Sequence, residues 1–171
     1  PHFACFQAPG VVTVILLPYL PAGRPAPSCE LKREVAAYLE RRRIIGTRVY
    51  VTGPRYREVT VRATVQPQRG VNGTQLRGRL VERLDRFFHP LHGGPAGDGW
   101  PFGRDVYRSE VLQVLDETPG VDYVEGLELL TRDEPGDWVA TCGNVCLAPL
   151  ELVAAGDHQI EVSGWREGCD A

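Results

Sequence analysis

Residues 11–17 form a near-continuous apolar, β-branched run, which predicts a strand buried on both faces. Residues 18–27 hold four prolines and a glycine and exclude helix. Ser28 then stands at an N-cap position with Glu30 in the first turn, and Leu31, Val35, Tyr38 and Leu39 share one face at helical spacing. This helix is expected to run to about Arg43, with Gly46 as its stop signal. Residues 47–51 predict a short strand that carries Arg48 and suits an edge, and Gly53-Pro54 marks a turn. From 57 to 66 the alternation is unbroken: Val59, Val61, Ala63 and Val65 on one face, Glu58, Thr60, Arg62, Thr64 and Gln66 on the other. That is a half-buried antiparallel strand covered on one side. A second helix starts at Asn72-Gly73-Thr74, turns Leu76, Leu80, Leu84, Phe87 and Phe88 inward, and ends at Pro90. A third, shorter helix begins between Asp105 and Ser109, with Ser109-Glu110 as cap and first turn, Val111, Val114 and Leu115 inward, and Pro119-Gly120 as its stop. Residues 121–131 predict another strand. Two weaker strands follow at 145–153 and 158–162, flanked by Trp138 and Trp165.

The order strand, helix, strand, strand, helix, helix, strand predicts an α+β fold with a ferredoxin-like split βαβ core (β-α-β-β-α-α-β). In that plan the first strand is central, the second is an edge paired to the third by a hairpin, and the C-terminal hairpin is an added β arm. Residues 1–10 read as an entering linker, 11–131 as the domain, and 132–171 as a β extension with a frayed tail.

Composition narrows the class. The chain has 171 residues, 43% apolar and 24% charged, which suits one domain with a real core. No apolar run is long enough to span a bilayer, so no membrane partner is expected. A net charge of -3 argues against a general nucleic-acid binder. The outward residues of the 57–66 strand include no aromatic on which a base would stack. Five cysteines at irregular spacing do not make a disulfide framework, and reduced thiols in a cytosolic setting are expected. Only one of the nineteen basic residues is lysine, and methionine is absent. With Pro1-His2-Phe3 at its start, the chain reads as a piece of a longer protein.

The most distinctive stretch is the glycine-rich segment from His89 to Arg104. Neither phosphate-loop spacing fits it: Trp100 stands where the lysine of G-x-x-x-x-G-K belongs, and Phe102 follows where a third glycine is needed. His89, His92 and Asp98 lack the helical spacing of a zinc pair, and Cys142-x-x-x-Cys146 lacks a second pair of ligands, so no metal and no cofactor is expected. There is no G-x-S-x-G elbow, and no cysteine sits in a catalytic setting. The Arg41-Arg42-Arg43 run complements a helix C-terminus and suits a solvated or interface role.

Several segments taken together carry a resemblance. They are Tyr38-Leu-Glu-x-Arg-Arg-x-Ile-Ile-Gly-Thr47, Val49-Tyr-Val-x-Gly-Pro-x-Tyr56, Phe87-Phe-His-Pro-Leu-x-Gly-Gly94, Gly97-x-Gly-Trp-Pro-Phe-Gly-Arg104, Val106-Tyr-x-Ser-Glu110 and Pro119-Gly-Val-Asp122. From about residue 10 to residue 130 the chain resembles the C-terminal region of J-type (wedge) baseplate assembly proteins of contractile phage tails and contractile injection systems. The resemblance implies a structural subunit that binds no cofactor and catalyses nothing. It implies other baseplate wedge subunits and a second copy of the chain as partners, in a ring around a central hub. It also implies assembly in the bacterial cytoplasm before incorporation into the tail or injection particle. The expected interface residues are Arg41, Arg42, Trp100, Phe102 and Arg104. For Trp100 and Arg104 a second reading stays open, in which they pin the loop to its own domain. The rival reading is a ferredoxin-like ligand-binding or enzymatic domain with loop 89–104 as a lid, which requires a concave pocket beside His89 or Asp98.

Overall fold

The computed structural model describes residues 9–132, 139–141 and 143–164, which build a mixed α+β fold. β1 (Val11–Ile15), α1 (Cys29–Glu40) and β2 (Arg48–Thr52) form a parallel βαβ unit in which Val12 faces Val49 and Val14 faces Val51. Ser28 caps α1 as its position predicts, its Oγ accepting from the Leu31 N–H at 3.1 Å. The helix packs chiefly over β2, and none of its residues is fully buried.

The main sheet is organised on β3 (Arg55–Pro67). β4 (Val121–Arg132) pairs antiparallel along one edge of β3 and carries the short β5 (Val139–Ala140) on its far side. β6 (Glu151–Ala155) and β7 (Gln159–Val162) pair parallel along the other edge, one after the other. α2 (Gly73–Phe87), capped by Asn72, and α3 (Arg108–Asp116) cover one face. Val59, Val61, Ala63 and Val65 point into that core, as the alternation predicts, and meet Leu76, Leu80, Leu84, Val111 and Leu115 from the helices.

Four features depart from the sequence expectation. β1 is not central to the main sheet, and β2 does not pair with β3; β1 and β2 make a sheet of their own. The cause lies at Gly53-Pro54. A two-residue hairpin needs a primed turn, with a positive φ at its first residue, and Gly53 is not among the glycines that adopt one, so the chain does not fold back from β2 onto β3. The C-terminal strands do not form a hairpin either. Gly156 donates its N–H to the Val59 carbonyl (2.9 Å), which keeps the chain running in one direction past β3, so β6 and β7 act as one interrupted strand.

The outer face of β3 is also not open along its whole length. Glu58, Thr60 and Gln66 are buried, and residues 18–27 cross the sheet beside Glu58 and Tyr56. There Arg24 reaches Glu58 at 2.9 Å, Arg132 reaches it at 2.8 Å, and the Tyr56 hydroxyl donates to the Pro25 carbonyl at 2.7 Å. Burial pushes the Tyr56 pKa up to about 12, so the hydroxyl remains a donor. Finally, α3 begins after Tyr107 instead of at a Ser109 cap, and the Asn144 side chain accepts the Arg108 N–H from across the fold (3.0 Å). Trp138, Cys142, Trp165, residues 1–8 of the linker and the tail from 165 lie outside the described residues.

Candidate functional site

Loop 89–104 leaves the C-terminus of α2 and folds back on it. Phe88 closes α2 by donating its N–H to Leu84, and the chain then turns so tightly that a Cβ at Gly93 would lie 2.2 Å from the Phe87 carbonyl oxygen. Only glycine fits there. The loop's amides are spent within the loop and on the elements beside it. Gly93 donates to His89, Gly94 to Phe87, Gly99 to Gly93, Trp100 to Pro90, and Gly103 to Glu151, all between 2.7 and 3.0 Å. A phosphate cradle requires converging unspent amides, and these donors are committed.

Trp100 is the anchor of this arrangement. Only 3% exposed, its ring packs edge-on against Phe87 (5.4 Å between centroids) and obliquely against Phe88, while its indole N–H donates to the Arg104 carbonyl at 2.9 Å. Arg104 extends its guanidinium over the Trp100 and Tyr107 rings and binds both oxygens of Glu110, at 2.6 and 3.0 Å. Hydrogen bonding to Glu110 is the main reason its pKa lies above the ordinary arginine value. The structure therefore places Trp100 and Arg104 where they pin the loop to its own domain. Phe102, on the same loop, is 41% exposed.

The other two expected interface residues lie at and just past the C-cap of α1. Arg41 and Arg42 are both exposed. The Arg42 guanidinium lies 3.7 Å over the Tyr38 ring and also donates to the Tyr38 carbonyl. Arg43 is tied to Glu40 at 2.6 Å and to the Thr47 carbonyl at 2.9 Å. The expected residues thus divide into two buttresses, Trp100 and Arg104, and three exposed groups, Arg41, Arg42 and Phe102.

The described histidines make no metal site. His89 and His92 stack at 5.0 Å, Tyr19 meets His92 edge-on at 5.2 Å, and the His89 Nδ1 accepts from the Leu91 N–H. Burial, followed by the neighbouring His92, lowers the His89 pKa. No cluster of three or more His, Cys, Asp or Glu side chains that would hold a metal occurs among the described residues. A groove of about 550 Å³ runs beside the loop, lined by Arg83, Arg86, His92, Gly97, Glu110 and Glu117 among others. Its lining contains no hydroxyl, thiol or amine nucleophile. Arg83 is turned toward Glu117, and Glu110 is held by Arg104.

Sequence reading missed His158. Its side chain is fully buried against Phe88, and its Nδ1 accepts the Val61 N–H at 3.0 Å, filling the gap in the ladder between β6 and β7. The Nε2 side faces Asp85 at 3.6 Å. Burial lowers the His158 pKa to about 4. No local motif announces this role, because it depends on how two separate strands meet β3.

No family model matches the chain, and no curated protein matches it. Among solved structures, the fold is similar to a chain of the anti-feeding prophage (AFP) baseplate, determined by cryo-EM with six-fold symmetrisation. The TM-score is 0.63 at 22% sequence identity, over 88% of this chain and 30% of that one. The chain therefore spans less than a third of the length of the baseplate chain it matches.

Proposed function

We propose that this chain is a structural domain of a contractile-tail or contractile-injection-system baseplate, and that it acts in wedge and ring assembly through protein–protein contacts. The observation that carries this reading is the shared fold with the AFP baseplate chain over 88% of the sequence. The ordered glycine–tryptophan segment from 87 to 104 and the Tyr38 to Tyr56 segment point the same way, independently of the fold. The partners in this reading are other baseplate wedge subunits and further copies of the chain, and its place is in the assembled tail or injection particle. Loop 89–104 serves as a braced structural element, with Phe102, Arg41 and Arg42 as contact residues. No catalytic step is assigned to it.

The reading as a ligand-binding or enzymatic domain would need loop 89–104 to open as a lid. The internal amide bonds and the buried Trp100 anchor weigh against that motion.

Affinity purification of the full-length protein from cells that produce the particle tests the proposal. Tail-tube, sheath and wedge subunits are expected to copurify. Recovery of the protein free of all of them, while intact particles are present in the same lysate, would refute it.

A further inference from the structure

The charge of this chain is divided along its length. Residues 1–104 carry 16 lysines and arginines against 7 aspartates and glutamates, and residues 105–171 carry 3 against 15. The near-neutral total conceals two regions of opposite sign, and each contains an exposed apolar feature.

On the basic side, the chain leaves α1 through Arg41, Arg42 and Arg43 and turns at Ile44-Ile45-Gly46 into β2. Ile45 is 98% exposed and Ile44 79%. The turn is not loose: Thr47 donates its N–H to the Ile44 carbonyl at 3.0 Å, and Gly46 takes the positive φ (88°) that a type II turn requires at that position. A hydrogen-bonded turn thus holds two isoleucines in water, with Arg41, Arg42 and Arg48 close by in the chain. An apolar centre with a charged rim is the anatomy of a contact surface.

On the acidic side lies the outer face of the β3–β4 pair, beyond the stretch crossed by residues 18–27. The register sets Gln66, itself buried, opposite Tyr123, and sets Thr64 opposite Gly126 and Arg62 opposite Glu128, on the face turned away from the helices. The breaks in register leave Asp122 and Glu125 outside the pairing. Tyr123 is half exposed, and its hydroxyl donates to Glu125 at 3.4 Å. Gly126 has open space where a side chain would stand, so the sheet forms a flat shelf there. Arg62 on this face pairs with Glu128 at 3.2 Å, so Asp122 and Glu125 give this shelf its negative charge.

We propose that the Ile44–Ile45 corner of one copy docks on the Tyr123–Gly126 shelf of a second copy, with Arg41, Arg42 and Arg48 set against Asp122 and Glu125. Complementarity of sign selects the second copy as occupant, because this one chain carries both surfaces. The two surfaces are different, so the contact is head-to-tail and leaves one corner and one shelf free on every pair. Such a contact propagates into a ring or a filament, as a two-fold contact would not. The inference rests on the assembly reading for its biological setting only; the contact itself is a property of the chain.

Sedimentation velocity on the 171-residue chain tests it. At about 50 mM salt the protein forms concentration-dependent oligomers, and at about 500 mM these dissociate, since the Debye length is several-fold shorter. Two variants each remove one surface at exposed positions: Ile44→Ser with Ile45→Ser, and Tyr123→Arg. Each melts with the wild type and is monomeric alone. Mixed, they give a one-to-one pair through the remaining corner and the remaining shelf, and nothing larger. Wild type that stays monomeric at low salt and high concentration would overturn the proposal, as would either variant associating alone or a mixture that yields no pair or grows past it. None of these outcomes touches copurification with other baseplate subunits, so failure of this contact is separable from failure of the assembly reading.

Discussion

Trp100 carries a larger share of the fold than an exposed loop aromatic would. Its ring fills the space between Phe87 and Phe88, and its N–H closes the turn at Arg104. Trp100→Ala is expected to cost about 3–5 kcal/mol of stability, while Phe102→Ala, at an exposed position, costs at most about 0.5 kcal/mol. Urea melts of the two variants check the contrast. His158 gives the fold a pH dependence of known sign. Its pKa is about 4 in the fold against 6.5 ordinarily, so between these values the unfolded chain binds the proton and the native chain does not. Stability is fully present above about 6.5 and falls as pH drops to about 4, by roughly 3 kcal/mol. Protonation also turns Nδ1 into a donor facing the Val61 N–H, which removes the acceptor that completes the ladder. His89, whose pKa is lowered too, adds in the same direction. Asp85, whose pKa is raised by burial and then by Asp157, acts oppositely and at the acid end. His158→Gln keeps an acceptor but does not titrate. Unfolding measured from pH 7 to 4 should therefore be much flatter for this variant, with only the His89 remainder. An unchanged slope would locate the titration elsewhere.

At the scale of elements, the molecule has two regions of unequal support. β3 has strands on both edges and helices over one face, with Val59, Val61 and Val65 fully buried. α1 buries nothing completely, and β1 and β2 are a two-stranded sheet, which by itself is marginal in water. Native-state hydrogen exchange should therefore show the amides of α1, β1 and β2 exchanging well before those of β3 and α2. Uniform protection across both regions would contradict this division. The same contrast shows what local pattern can reveal. The 57–66 alternation, the Leu76-Leu80-Leu84 stripe and the Ser28 and Asn72 caps are local signals, and the structure bears out each of those elements. The apolar 11–17 run marks a strand, but the expected burial on both faces is not found, since no residue of β1 is buried and Val12 and Thr13 are exposed, and the run carries no information about which strand lies beside it. Its placement depended on the backbone conformation at Gly53, which residue type alone does not reveal. The parallel, end-to-end placement of β6 and β7 was equally hidden, since it is fixed by Gly156 and His158 meeting β3 about a hundred residues away in sequence.

For the whole molecule, the residues with perturbed protonation, chiefly His158, Asp85 and Tyr56, serve the packing of the fold. The loop that most resembled a ligand cradle spends its amides within itself and on the elements beside it. What remains at the surface is a charge-divided domain with an isoleucine corner and an acidic shelf, and a fold similar to that of a baseplate chain. Of the five expected contact residues, Arg41, Arg42 and Phe102 stand exposed, while Trp100 and Arg104 were ambiguous in sequence because an arginine–tryptophan pair suits a buttress and an interface equally well. In the proposed function, this chain is a part that the particle needs in order to assemble. Electron microscopy of particles from cells lacking its gene tests this most directly. Assembled, sheath-bearing particles are expected to be lost, the wild-type gene to restore them, and a gene carrying Arg41→Glu and Arg42→Glu to restore few or none despite a folded product. Normal numbers of complete particles in the absence of the gene would contradict it.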